Sequence, residues 1–165
     1  MTTCYYTPPA DRKKIRAAWV ELIQKQDPNT FITLATNQNI TVDRMKDLTK
    51  TFFGHLDRRL LGTKYSKKTT DKRTNGFAFI EHESSNIHVH CLIRPANKLH
   101  TPSKIKITNS DLEAIWLKVY ASGSFDYQPI TELYNLSRYV TKEFKTNNYD
   151  TTKHTMILED FCSNK

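Results

Sequence analysis

Cysteine is scarce and scattered. The chain has three, Cys4, Cys91 and Cys162, far apart and with no Cys-x-x-Cys pair. That excludes a zinc ribbon and a disulfide framework, and free thiols in a reducing compartment are expected. Glycine is also scarce for a chain of 165 residues, at four, and none belongs to a G-x-x-x-x-G-K-[ST] loop, so no ATPase is recognisable. Long apolar runs are missing too. Nothing approaches the ~20 residues of a membrane span. The opening MTTCYYTPPADRKK has no apolar stretch of signal-peptide length. No repeat or low-complexity linker interrupts the chain. The expectation is one soluble domain over 1–165, in the cytoplasm or nucleus of the host cell, with no membrane partner.

Positive charge, by contrast, is abundant: 25 Lys and Arg against 17 Asp and Glu give +8, with a pI near 9.4. Basic domains of this size commonly serve a polyanion, nucleic acid foremost, although a merely soluble basic protein has the same composition.

Periodicity supplies the elements. Residues 1–10 read as an extended arm, with Pro8 and Pro9 blocking a helix. Asp11 caps a helix to about residue 25 with an apolar stripe of Ile15, Trp19, Leu22 and Ile23. FITLAT (31–36) reads as a strand. Thr41 opens a long helix to about Leu61, which Gly62 stops. A basic loop leads to GFAFIEH (76–82), and the turn ESSN joins that strand to IHVHCLIR (87–94) as a hairpin. Ser110 or Asp111 caps a helix ending at Gly123. FDYQPI (125–130) is an edge-like strand, and Thr131 is the expected N-cap of a last helix, ELYNLSRYVTKEF. The core is expected over about 30–144, after an arm and helix (1–29) and before a polar tail (145–165). The class is α+β, with a central antiparallel sheet of four or five strands flanked by helices. A ferredoxin-like arrangement is the natural closure of β-α-β-β-α-β, and the N-terminal arm is the candidate fifth strand.

The sharpest motif is His88-Val89-His90. Side chains alternate along a strand, so both imidazoles leave the same face and can converge on one ion, while Ile87, Val89 and Ile93 point to the core and Leu92 shares the histidine face. Glu81, His82 and Glu83, at the end of the preceding strand, all qualify as a third ligand, because one register step reverses the faces. Two imidazoles and a carboxylate leave coordination positions open, which suits catalysis. The second motif is Tyr139-Val140-Thr141-Lys142, whose ends share one helical face. A phenol with a pKa of ~10 is a poor nucleophile unaided, and a lysine beside it stabilises the phenolate or the phosphate under attack. Alone, this spacing is commonplace in amphipathic helices.

Taken in chain order, FITLAT (31–36), HVHCLI (88–93) and YVTK (139–142) resemble the three motifs of the HUH endonucleases, and most closely the single-tyrosine initiators of rolling-circle replication in viruses and plasmids. The resemblance spans roughly residues 30–144. It implies that Tyr139 attacks a scissile phosphate of single-stranded DNA, at an origin stem-loop, leaving a 5′-phosphotyrosine and a free 3′-hydroxyl. Lys142 assists, and Mn²⁺ or Mg²⁺ is held by Glu81, His88 and His90. In similar hairpins a strand-end Glu is the third ligand, which favours Glu81 over its neighbours. Tyr134 is the second-best nucleophile. A separate helicase is a possible partner. Lys64, Lys67, Lys68, Lys72 and Arg73 are expected on DNA phosphates, with Thr33 and Thr36 near the sheet, and Tyr5 and Tyr6, reading bases. Relaxases and transposases share the chemistry. The competing classes are a non-catalytic nucleic-acid-binding domain and a metal hydrolase of small phosphate esters.

Overall fold

The computed structural model describes residues 8–96, 107–147 and 149–159. The fold is α+β, built on one five-stranded antiparallel sheet between two layers of helices. Helix α1 (Pro9–Gln26) leads to β1 (Thr30–Ala35), α2 (Val42–Leu61), β2 (Asn75–Glu81), β3 (His88–Arg94), α3 (Asn109–Val119), β4 (Ser124–Pro129), α4 (Leu133–Val140), a short α5 (Thr151–His154) and β5 (Thr155–Ile157). The strand order is β4-β1-β3-β2-β5.

Several ends differ from the sequence expectation, each for a local reason. Helix α1 starts at Pro9, not after Asp11. A proline in the first turn lacks only an N–H that would have no helical partner, so it opens the helix instead of blocking it. Helix α3 is capped by Thr108, whose hydroxyl accepts from the Asp111 amide while the Asp111 carboxylate accepts from the Thr108 amide, a reciprocal capping box. Helix α4 begins after Glu132, not Thr131, with no side-chain cap; Glu132 instead accepts from Asn135. It is also shorter than expected. It stops at Val140, and Lys142–Lys145 continue as a 3₁₀ turn. The fifth strand comes from the end of the chain: Thr155–Ile157 pairs with Phe77–Phe79 of β2, so the stretch expected as a polar tail completes the sheet. The N-terminal arm, with Tyr5 and Tyr6, lies outside the described residues.

Both faces of the sheet are packed. On one, Ile32, Leu34, Ala78, Ile80, Val89, Cys91 and Ile93 meet the apolar sides of α2 and α3. Burial pushes the Cys91 thiol well above its ordinary value, which makes it packing material, not a redox group. On the other, Phe31, Phe77, Phe79 and Leu92 meet Ile23, Val140 and Phe144, with Trp19 of α1 set edge-on to Phe77, Phe79 and Phe144. Helix α1 therefore belongs to the core, although Leu22 of its expected apolar stripe is exposed. No helix among the described residues is long and apolar enough to cross a membrane.

The basic loop before β2 is fixed by a buried ion pair. Arg73 Nε donates to Asp57 Oδ2 at 2.9 Å, and the Thr74 amide donates to Asp57 Oδ1 at 3.0 Å. Both side chains are almost wholly removed from water, 9% and 2% exposed. Asp57→Ala leaves the Arg73 cation buried without its partner and is expected to cost about 3–5 kcal/mol, read as a lower urea midpoint at unchanged slope.

Candidate metal and tyrosine site

The hairpin register decides what the sequence left open. Glu81 pairs directly with His88, and His90 pairs with Phe79 on one side and Thr33 on the other. Paired residues share a face, so Glu81, His88, His90 and Thr33 all project toward α1 and α4. Glu81 Oε2 lies 3.8 Å from His88 Nε2 and 3.7 Å from His90 Nε2. His82 follows in a left-handed conformation, φ 57°, which begins the turn and stacks its exposed ring on His88 at 5.1 Å. Glu83 faces away from the histidines, toward His154 and Lys153. Among the described residues, Glu81, His82 and His88 offer ligand atoms all within 4.8 Å of one another and could hold a metal ion. His90 approaches the same carboxylate oxygen.

Hydrogen bonds orient both strand imidazoles. His88 Nδ1 lies 3.0 Å from the Asn86 carbonyl, which can only accept. The proton therefore sits on Nδ1, and Nε2 keeps its lone pair. His90 Nδ1 is 3.0 Å from the Thr33 hydroxyl, and Phe31 stacks on the ring at 5.4 Å. His90 Nε2 is buried with no hydrogen-bond partner. A buried imidazole nitrogen left unpaired costs stability unless something binds it.

The end of α4 carries the remaining groups. Lys142 Nζ donates to Glu81 Oε2 at 2.7 Å and sits 4.0 Å from the centre of the Tyr139 ring. That ring is 5.6 Å from the His90 ring and is 48% exposed, so the phenol is accessible. Burial works against ionisation of Glu81, but the contacts with His90 and Lys142 outweigh it and hold the carboxyl below its ordinary value. Burial likewise opposes the charge on Lys142, and the Glu81 carboxylate beside it prevails, raising its pKa. Burial lowers His88 below 6.5, outweighing its bond to Asn86. Near neutrality the site therefore holds a carboxylate, an ammonium and a neutral His88. The unfolded chain protonates His88 near its ordinary value and the folded chain only at lower pH. Between the two the unfolded state binds more protons, so His88 makes stability rise with pH through that window.

The expected DNA contacts are only partly brought here. Thr33 is at the site, where its hydroxyl lies 3.0 Å from His90 Nδ1 and orients that ring. Thr36 is fully buried and bonded to Gln38. Arg73 is committed to Asp57. Lys64, Lys67 and Lys68 are exposed and Lys72 half-buried, but their loop adjoins α2, behind the sheet, at the far end of β2. Asn75 and Glu81 end that strand, about 20 Å apart at the rise of a β-strand.

What the sequence reading missed is a polar stripe on α1. Arg12, Arg16 and Gln24, at multiples of four, face α4 and the turn after it. Arg16 donates to the Arg138 carbonyl at 2.8 Å and to Thr141 Oγ1 at 3.3 Å, Gln24 to Ser137 Oγ at 3.4 Å, and Arg12 to the Lys145 carbonyl at 3.3 Å. Two of these bonds satisfy carbonyls that the end of a helix leaves open, and two are accepted by hydroxyls on the same segment. They clamp the segment that presents Tyr139 and Lys142. The four-residue spacing was visible, but nothing local shows what such a stripe faces. Arg16→Ala removes both of its bonds to this segment and is expected to cost about 1–3 kcal/mol, read as a lower urea midpoint at unchanged slope.

No family model, no curated protein and no solved structure matches the chain.

Proposed function

We propose that this protein is a metal-dependent endonuclease that nicks single-stranded DNA with Tyr139 as nucleophile. The observation that carries the reading is the convergence of groups far apart in sequence. Glu81, His88, His90, Tyr139 and Lys142 meet on one face of the sheet, with Lys142 in contact with both the carboxylate and the tyrosine. We read the sheet as ferredoxin-like because its first four strands run β4-β1-β3-β2 in a β-α-β-β-α-β succession.

The donor set fits a divalent cation: one carboxylate, a His88 nitrogen that keeps its lone pair, and a buried His90 nitrogen with no hydrogen-bond partner. Glu81, His88 and His90 are the ligands of choice, since the His90 nitrogen is buried and oriented while His82 is exposed at a turn. Bound there, Mg²⁺ or Mn²⁺ supplies Lewis-acid polarisation of the phosphate. The remaining work belongs to the chain. Lys142, held protonated by Glu81, lowers the cost of forming the Tyr139 phenolate. The phenolate oxygen bonds to phosphorus as the P–O3′ bond breaks. The phenol proton passes to solvent and the departing 3′-oxygen takes one up, giving a 5′-phosphotyrosine and a 3′-hydroxyl. Arg12, Arg16 and Gln24 keep the nucleophile segment in place.

The test is direct. The protein is incubated with Mn²⁺ and oligonucleotides bearing a randomised core, as single strands and in stem-loops, carrying a label on the 3′ side of the core, and run on a denaturing gel. Label that migrates with the protein and disappears with a chelator is the expected result. Oligonucleotide binding with no adduct in either pool overturns the reading in favour of a non-catalytic binding domain.

A further inference from the structure

Beside the metal cluster, on the β5 side, lies an open cleft of about 400 Å³. Glu81, His82, Glu83 and Ser84 line it from the β2–β3 turn, and Glu143 and Thr146 from the turn after α4. The C-terminal segment builds its floor. Tyr149 lies between Phe144 at 5.1 Å and His154 at 4.8 Å, with both faces covered. His154 Nε2, 2.9 Å from Glu83 Oε2, and Lys153 fix the Glu83 carboxylate at the rim.

The unpaired carboxylate of the cleft is Glu143. Of the three carboxylates that line the cleft, Glu81 is paired with Lys142 and Glu83 with Lys153 and His154, whereas among the described residues Glu143 makes no ion pair. Glu81 belongs to both sites. Its Oε2 faces the histidines and Lys142, whereas Oε1 is buried with no hydrogen-bond partner. A carboxylate left unpaired in a cleft, as Glu143 is, rewards N–H donors. His82 offers a stacking surface at the rim, since one face of its exposed ring lies on His88 and no other described ring stacks on it.

Resting on the nicking reading, we infer that this cleft is the pocket for one unpaired base of the substrate strand beside the scissile phosphate, selecting a base with N–H donors on its Watson–Crick edge, guanine foremost. Guanine places two N–H groups side by side, matching the two oxygens of the unpaired Glu143 carboxylate. Thymine presents a single N–H between two carbonyls, which the Glu143 carboxylate repels. The pocket adjoins Glu81, so the base it holds belongs to a nucleotide next to the phosphate that Tyr139 reaches.

The test needs no nicking. Amide spectra of the ¹⁵N-labelled full chain are recorded with guanosine and with thymidine, uncharged nucleosides that cannot react with Tyr139. Guanosine is expected to shift the amides of Ser84, Glu143 and Thr146, and thymidine at the same concentration to leave them in place. Glu143→Gln is expected to weaken the guanosine response at least tenfold, as is Ser84→Ala at its exposed turn to a smaller degree. Absence of shifts, equal shifts with both nucleosides, or a guanosine response unchanged in Glu143→Gln overturns the pocket. A nucleoside response without a DNA adduct sinks the nicking reading and leaves the pocket standing; an adduct without a nucleoside response does the reverse.

Discussion

Tyr139→Phe is expected to abolish the covalent protein–DNA adduct, a loss of at least about a thousandfold, the scale on which removing a covalent nucleophile acts. The substitution deletes one oxygen. The ring stays 48% exposed at the end of α4, in contact with Lys142, so folding and oligonucleotide affinity are expected to be unchanged. The informative control is Tyr134→Phe. Tyr134 is the more exposed of the two, at 57%, but its ring lies beneath the Arg138 guanidinium, whereas the Tyr139 ring lies 5.6 Å from that of His90. Adduct formation is expected to persist in Tyr134→Phe. Mass spectrometry of the tryptic phosphopeptide checks both. An adduct retained by Tyr139→Phe and lost from Tyr134→Phe would move the nucleophile by five residues and leave Lys142 without its assigned role.

His90→Ala is expected to reduce Mn²⁺ affinity by more than about a hundredfold, and Thr33→Val by about 10–100-fold, the range typical of losing a hydrogen bond that orients a ligand. His82→Ala is expected to change it little. Isothermal titration calorimetry ranks the three. The order rests on burial: the Thr33 hydroxyl positions the His90 ring, and Nε2 of that ring has no other partner. If His82→Ala abolished binding and His90→Ala did not, the ion would belong to the exposed set of Glu81, His82 and His88. The pH dependence has a defined sign. Because burial lowers the His88 pKa below 6.5, its lone pair is free at neutral pH, and affinity is expected to hold as pH falls to that value and to drop only below it.

The alternation in His88-Val89-His90 fixed two imidazoles on one face whatever the sheet around them, because the side-chain period of a strand is two. The i, i+3 spacing of Tyr139 and Lys142 likewise survived the change from α-helix to 3₁₀ turn between them. The strands through Pro129 and the middles of the long helices were legible for the same reason: their periodicity is local. Ends were less so. Thr108, not Ser110 or Asp111, caps α3, since three polar residues in succession offer equivalent caps and only backbone geometry selects one.

Other features depended on partners distant in sequence. Glu81, His82 and Glu83 are adjacent carboxylate and imidazole groups, and which of them faces the histidines follows from the pairing of Glu81 with His88, a register that a single strand does not carry. The charge of the basic loop was evident, but its place behind the sheet follows from Arg73 reaching Asp57 on α2. Thr155–Ile157 is too short to read as a strand alone and becomes one because β2 offers it an unpaired edge. The sequence by itself determined the residue types of the site and the face of each element they occupy. Only the tertiary structure decided which faces meet, because the hydrogen bonds and burial that join them are made between segments that local periodicity describes one at a time.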